Sequence, residues 1–337
     1  MTSTGRYVPT FAALVVGLVL TAGCSPAGTE QKIELLEVNL PLREPVWVPN
    51  EEALIAPSED RRQVVRVDVG ETTPGSQAPV RSEEFEDVGE NLAVSLEDPD
   101  LAYLPRPKAG EISTLDTGNL RVVDERDVGD SPGYVTLDVQ TEVLFVLSED
   151  GSRVFTMEIE ASEGAPAVEI GGGPETLVEA PEKGLEPAFW TAGPGGVSYY
   201  HGDPPEHLAG RPMEATDIAV DLSSAQRAYI AEGDQVVALE GDPQDYLEGD
   251  LVVTATRSLG EPIEHIASDE LHVFAATGSK LVAMRREGLD PVETVEFGRL
   301  LEREGVNPAA ISGITVGTVD VYLTLEGEPY VLGIKKP

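Results

Sequence analysis

Four histidines and a single cysteine are the side chains best suited to chemistry in this 337-residue chain. His201 and His207 bracket the run His201-Gly202-Asp203-Pro204-Pro205-Glu206-His207, where two imidazoles and two carboxylates share one stretch. Borderline metals accept that mixture of donors. Yet no HExxH or other standard ligand spacing is present, and paired prolines suit a solvated surface turn. A ligand-binding role for His201 and His207 therefore stands beside a plain loop. His272, between Leu271 and Val273, reads as a packed or edge residue of an apolar strand. Nucleophiles fare worse, because no G-x-S-x-G elbow occurs and no serine stands near a His/Asp pair in an interpretable order. The runs Gly171-Gly172-Gly173-Pro174 and Gly193-Pro194-Gly195-Gly196 lack the Lys and Ser of a phosphate loop. Glu240-Gly241-Asp242-Pro243 and Glu248-Gly249-Asp250 match no calcium-loop spacing. No catalytic residue, cofactor or metal site is assigned on this reading, and no enzymatic activity is expected.

The charge balance narrows the partners. Asp and Glu number 61 against 23 Lys and Arg, a formal net charge of −38, and a polyphosphate is repelled by such a surface. Nucleic acid is excluded. Hydrophobic content of 41% is enough for a real core. One cysteine allows neither an internal disulfide nor a four-cysteine metal site. Acid is scattered throughout and only 6 of the basic residues are lysine, which suits a surface that stays hydrated at high ionic strength. A cationic partner is the alternative explanation.

The cysteine has an address-like context. Phe11–Leu20 supplies ten apolar or glycine residues, about 15 Å as a helix against a hydrocarbon core of about 30 Å. That length suits a secretory h-region rather than a membrane span. It ends in Leu20-Thr21-Ala22-Gly23-Cys24, which resembles the bacterial lipoprotein signal, with Thr21 where leucine is commonest. The resemblance implies cleavage after residue 23 and a diacylglycerol thioether on Cys24, two or three acyl chains being enough for stable anchoring. An ordinary signal peptide with an incidental cysteine is the plainer alternative. The expected division is 1–23 signal peptide, 24–40 lipidated tether and 41–337 body.

The elements that must position any site are short strands. Val143-Leu144-Phe145-Val146-Leu147 is followed by the turn Glu149-Asp150-Gly151 and then by Arg153-Val154-Phe155-Thr156-Met157. The same phrase recurs around Tyr229, Val273 and Tyr322, and more weakly around Leu54, Tyr103 and Phe189. These seven anchors lie 40–49 residues apart, the period of β-propeller blades with three or four strands each. One such sheet cannot bury both faces, whereas a closed ring packs each sheet between two neighbours. The fold expected is all-β, a propeller most consistent with seven blades and open to six or eight, with a β-sandwich or two smaller β-domains as the alternative. The phrase SPGYVTLDVQTEVLFVLSEDGSRVFTM resembles the YVTN/WD40-like repeats of secreted bacterial proteins. In a ring His265, in the first strand of its repeat, falls near the central channel, and it joins His201 and His207 as a candidate ligand-binding residue.

These readings converge on a lipid-anchored binding or scaffold module at the extracytoplasmic face of the cell membrane, with a protein of the cell envelope as partner. A metal- or solute-binding accessory of a transporter, and a lactonase- or lyase-like propeller enzyme, are the competing readings. Oligomeric state is not legible.

Overall fold

The structure, a computed structural model, describes residues 32–337 apart from 71–77, 96–98, 130, 139–140, 160–166, 172, 180–186, 222–223, 242–250 and 307–308. Seven four-stranded antiparallel sheets follow one another along the chain as blades. Blades 1 to 6 occupy 46–81, 93–127, 132–169, 176–211, 217–258 and 263–296. Blade 7 takes three strands from 311–335 and its outermost strand, Ile33–Glu37, from the other end of the body. The innermost strands touch in a full cycle, each meeting the next and blade 7 meeting blade 1. The molecule is a seven-bladed β-propeller.

Burial explains why the second strand of every blade was readable. Val143–Ser148 and Ala188–Gly193 are buried along their whole length, because both faces of the sheet pack on a neighbouring blade. A strand covered on both sides shows a continuous apolar run rather than alternation. Outer strands such as Val252–Ser258 meet water instead. The core is accordingly divided into seven apolar clusters that each join two adjacent blades. Phe145 with Phe189 and Tyr200 seals blades 3 and 4, and Tyr229 with Ile266 and Met284 seals blades 5 and 6. At the seam, Leu54 and Val65 of blade 1 meet Tyr322 and Val331 of blade 7.

One boundary differs from the sequence reading. Residues 24–40 were expected to form a tether, but Ile33–Glu37 pairs with Tyr330–Lys335 in register Ile33↔Ile334 to Glu37↔Tyr330. Blade 7 has only three strands of its own, so its open edge is completed by the first strand of the body. The Val38 amide extends the seam by donating to the Pro329 carbonyl at 2.9 Å. The segment available as a tether therefore ends before residue 33.

The inner strands all begin at one rim of the channel, here the entry rim, and end at the exit rim. Asp217 of blade 5 meets His265 of blade 6 near their strand starts, and Ser268 donates to the Val220 carbonyl near their ends. The turns between second and third strands lie on the entry side. Those between first and second strands lie on the exit side.

Candidate binding site at the channel entry

The residues that converge on the entry rim arrive by a repeated backbone device. In blades 3, 6 and 7 the inner strand slips register by one residue at its start, between Pro132 and Tyr134, Ile263 and His265, and Ile311 and Gly313. Such a bulge re-aims the side chain that follows it. Tyr134 and His265 occupy that position in two blades. Gly313 occupies it in the third, where a Cβ would stand 2.5 Å from the Glu44 nitrogen and from Pro45 Cδ. The missing side chain lets the segment entering blade 1 pass close by, and the Glu44 amide donates to the Ser312 carbonyl at 3.0 Å. Glu44 has φ of +41°, an uncommon state for a side chain with a Cβ that neighbouring structure must hold in place.

His265 Nδ1 lies 3.2 Å from Asp217 Oδ2 and 3.9 Å from Glu44 Oε1. Asp217 is itself fixed by two backbone donors, the Ile218 amide to Oδ1 and the Ile266 amide to Oδ2, both at 2.8 Å. Beside His265, Glu264 accepts the Ile311 amide at 2.6 Å. A chain of ion pairs runs along the same rim. Glu90 is shared by Arg43 and Arg61, and Arg61 also reaches Glu149 at 3.2 Å. Asn91 clamps blade 3 by exchanging two hydrogen bonds with the Val135 backbone, each 2.8 Å. Five blades thus contribute to one polar surface.

Crowding of these groups changes their proton affinity. Burial pushes the Glu44 carboxyl up to about 7, with Asp217 and Glu90 adding to the rise and His265 and Arg43 opposing it. Burial works to lower the His265 pKa. The hydrogen bond to Asp217 and the charges of Glu44, Asp217 and Glu264 outweigh it and lift the imidazole to about 9. Tyr134 is held well above the ordinary phenol value, chiefly by burial and then by Glu44 and Asp217. Near neutral pH the rim therefore carries an imidazolium between two carboxyl groups, one of which is half-titrated. The side chains of Glu44 and His265 keep 26% and 18% of their accessible area, so water reaches them.

The other sequence candidates do not join this cluster. His201 and His207 lie on neighbouring strands of blade 4 but one position out of register, since His201 faces Glu206 and His207 faces Tyr200. His207 packs edge-on against the Tyr200 ring at 5.3 Å and lines a cleft of about 650 Å³ with Arg211 and Glu169. His201 opens on a separate cleft of about 530 Å³ with Glu158 and Asp203. Asp203 accepts a hydrogen bond from Thr156 of blade 3 at 3.0 Å. Among the described residues no group of three His, Cys, Asp or Glu is placed to hold a metal ion. His272 sits on its strand at the opposite rim, with Nδ1 3.9 Å from Asp269. Cys24 and the acidic turn 248–250 lie outside the described residues.

Glu44, Glu90, Tyr134 and Asp217 were not singled out from sequence. Their shared signal is repeat phase: each stands at the start of, or just before, the first strand of its unit. The chain matches no protein-family model and no curated protein.

Proposed function

We propose that the chain is a lipid-anchored extracytoplasmic propeller that binds a protein of the cell envelope through its channel entry, without making or breaking bonds. The observation that carries this reading is the convergence of Glu44, Asp217 and His265, with Tyr134 and Glu90, on one water-reachable rim. The partner chemistry follows from Glu44. A carboxyl that holds its proton to about 7 is only partly ionised near neutral pH, a ligand cation beside it would drive the proton off, and the net charge of −38 draws basic partners from a distance. A partner that inserts a lysine or arginine into the channel entry fits both facts. The rest of the rim is poorly disposed to catalysis. Both Asp217 oxygens are occupied by backbone donors, and an imidazolium with a pKa of about 9 is no general base near neutral pH.

Affinity capture from solubilised membranes tests the reading, with wild type, Glu44→Gln and Glu90→Gln as baits. The expected result is one reproducible basic partner that is lost or weakened with Glu44→Gln, while the variants melt as cooperatively as wild type. Capture indifferent to both substitutions overturns the assignment of the site. Replacement of Cys24 by serine should release the protein from the membrane fraction, and retention there overturns the anchor. One feature favours a second reading: a carboxyl titrating near 7 beside a cation is also what acid–base catalysis uses. Turnover of a lactone or uronide substrate that Glu44→Gln abolishes would establish that reading instead.

A further inference from the structure

The chain enters the ring at a defined place. Ile33 opens the outermost strand of blade 7 opposite Ile334, at the exit-rim end of that blade, on the side away from Glu44 and His265. From Cys24 to Ile33 the chain can extend about 30 Å at most, at 3.3–3.6 Å per residue. A six-residue strand is about 20 Å long. An anchor at Cys24 therefore reaches a membrane beneath the exit face with slack. Laying the entry face on the membrane would stretch it along the whole height of a blade.

The surface around that entry point has the composition to tolerate a bilayer. Leu271 and Val319, 70% and 54% exposed, occupy the turns between first and second strands of blades 6 and 7. The other large apolar side chains standing exposed among the described residues, Val123, Val252, Val253 and Val292, lie on outer strands instead. Lys336 ties the two turns together, its amide donating to the Val319 carbonyl at 3.0 Å and its Nζ to Asp269 at 3.1 Å. Two of the chain's six lysines, Lys335 and Lys336, fall at this place. Lys335 stands opposite Asp320 and Lys336 bonds to Asp269, so two of the local carboxylates are matched by cations on a chain of net charge −38. Anionic headgroups repel the acidic body, and paired cations weaken that repulsion at this place.

We infer that the exit face of blades 6 and 7, centred on Leu271 and Val319, rests on the bilayer to which the chain is tethered, so that the channel entry points away from the membrane toward its partner. The inference rests on the anchored reading proposed above, and the test separates the two. The thiol of Cys24, in the chain beginning at that residue, is coupled to a maleimide lipid in phosphatidylethanolamine/phosphatidylglycerol vesicles that also carry a diazirine lipid. Orientation is then read whether or not cells acylate Cys24, which mass spectrometry of the membrane-extracted protein decides separately. After photolysis, cross-links mapped by peptide mass should be several-fold more frequent at 268–272 and 317–320 than at the entry-side turn 326–329. Leu271→Asp with Val319→Asp should abolish the excess in a protein that melts normally. Cross-links spread evenly, or concentrated on the entry-side turn, overturn the inference.

Discussion

Asp217 and Asp221 sit at the two ends of one inner strand of blade 5, both buried, four residues apart, and they are put to different uses. At the exit end Asp221 is enclosed by the Tyr229 hydroxyl at 2.9 Å, by the Arg286 guanidinium and by Arg227 at 3.8 Å. Its side chain retains only 3% of its accessible area. That end is a closed structural knot joining blades 5 and 6. At the entry end Asp217 takes two amides and one imidazole, and the second carboxyl near that imidazole, Glu44, stays open to the channel. The same residue type is locked where cations surround it. It becomes part of a responsive surface where the neighbouring blade offers a histidine and the seam offers another acid.

The contrast is broken most severely at the closed end. Asp221→Ala takes a carboxylate away from the half-buried Arg286 guanidinium and the buried Tyr229 hydroxyl, and a loss of about 3 kcal/mol in denaturant-measured stability is expected. Asp217→Asn keeps an oxygen for a backbone donor, and about 1–2 kcal/mol is expected from the weakened hydrogen bonds. Equal losses at both ends would remove the distinction. Gly313→Ala places a methyl against the Glu44 backbone. A cost of about 1–3 kcal/mol should come with a fall of the Glu44 pKa toward the ordinary carboxylate range, as the segment shifts outward. Carbonyl-detected NMR titration of Glu44 checks the second part.

The pH dependence separates the two ends more finely. Folded Glu44 holds its proton to about 7 against 4.5 for the free residue, and folded His265 to about 9 against 6.5. In both intervals the folded chain binds more protons than the unfolded one, so the site's contribution to stability falls as pH rises. The imidazolium contribution is complete below 6.5 and is lost as pH rises through about 9. Relative to wild type, Glu44→Gln should flatten the stability curve between 4.5 and 7, and His265→Gln between 6.5 and 9. Unchanged slopes contradict the account. The smallest effect is expected at His201, where replacement by Gln should change stability by no more than about 0.5 kcal/mol.

How much of this was legible in sequence follows from burial. Four of the seven second strands were clear and three weaker, and the clear ones stood out because a sheet covered on both faces needs an unbroken apolar run, as in Val143–Ser148. Ile33–Glu37 alternates only weakly and finds its partner at the other end of the chain, so no local pattern marked it as a strand. Among the histidines, nearness along the chain misled. His201 and His207 are six residues apart yet open on different clefts. His265 is brought beside Glu44 and Asp217, which are 221 and 48 residues away in sequence, by ring closure alone. A single acid among 61 carries no mark of its own.

The central claim, that the channel entry holds a charged and proton-retaining site, is tested most directly by a ¹⁵N-detected NMR titration of the His265 ring. In the folded protein its midpoint should lie near 9 and drop in Asp217→Asn. A midpoint at or below 6.5 in wild type, unmoved by that substitution, would contradict it.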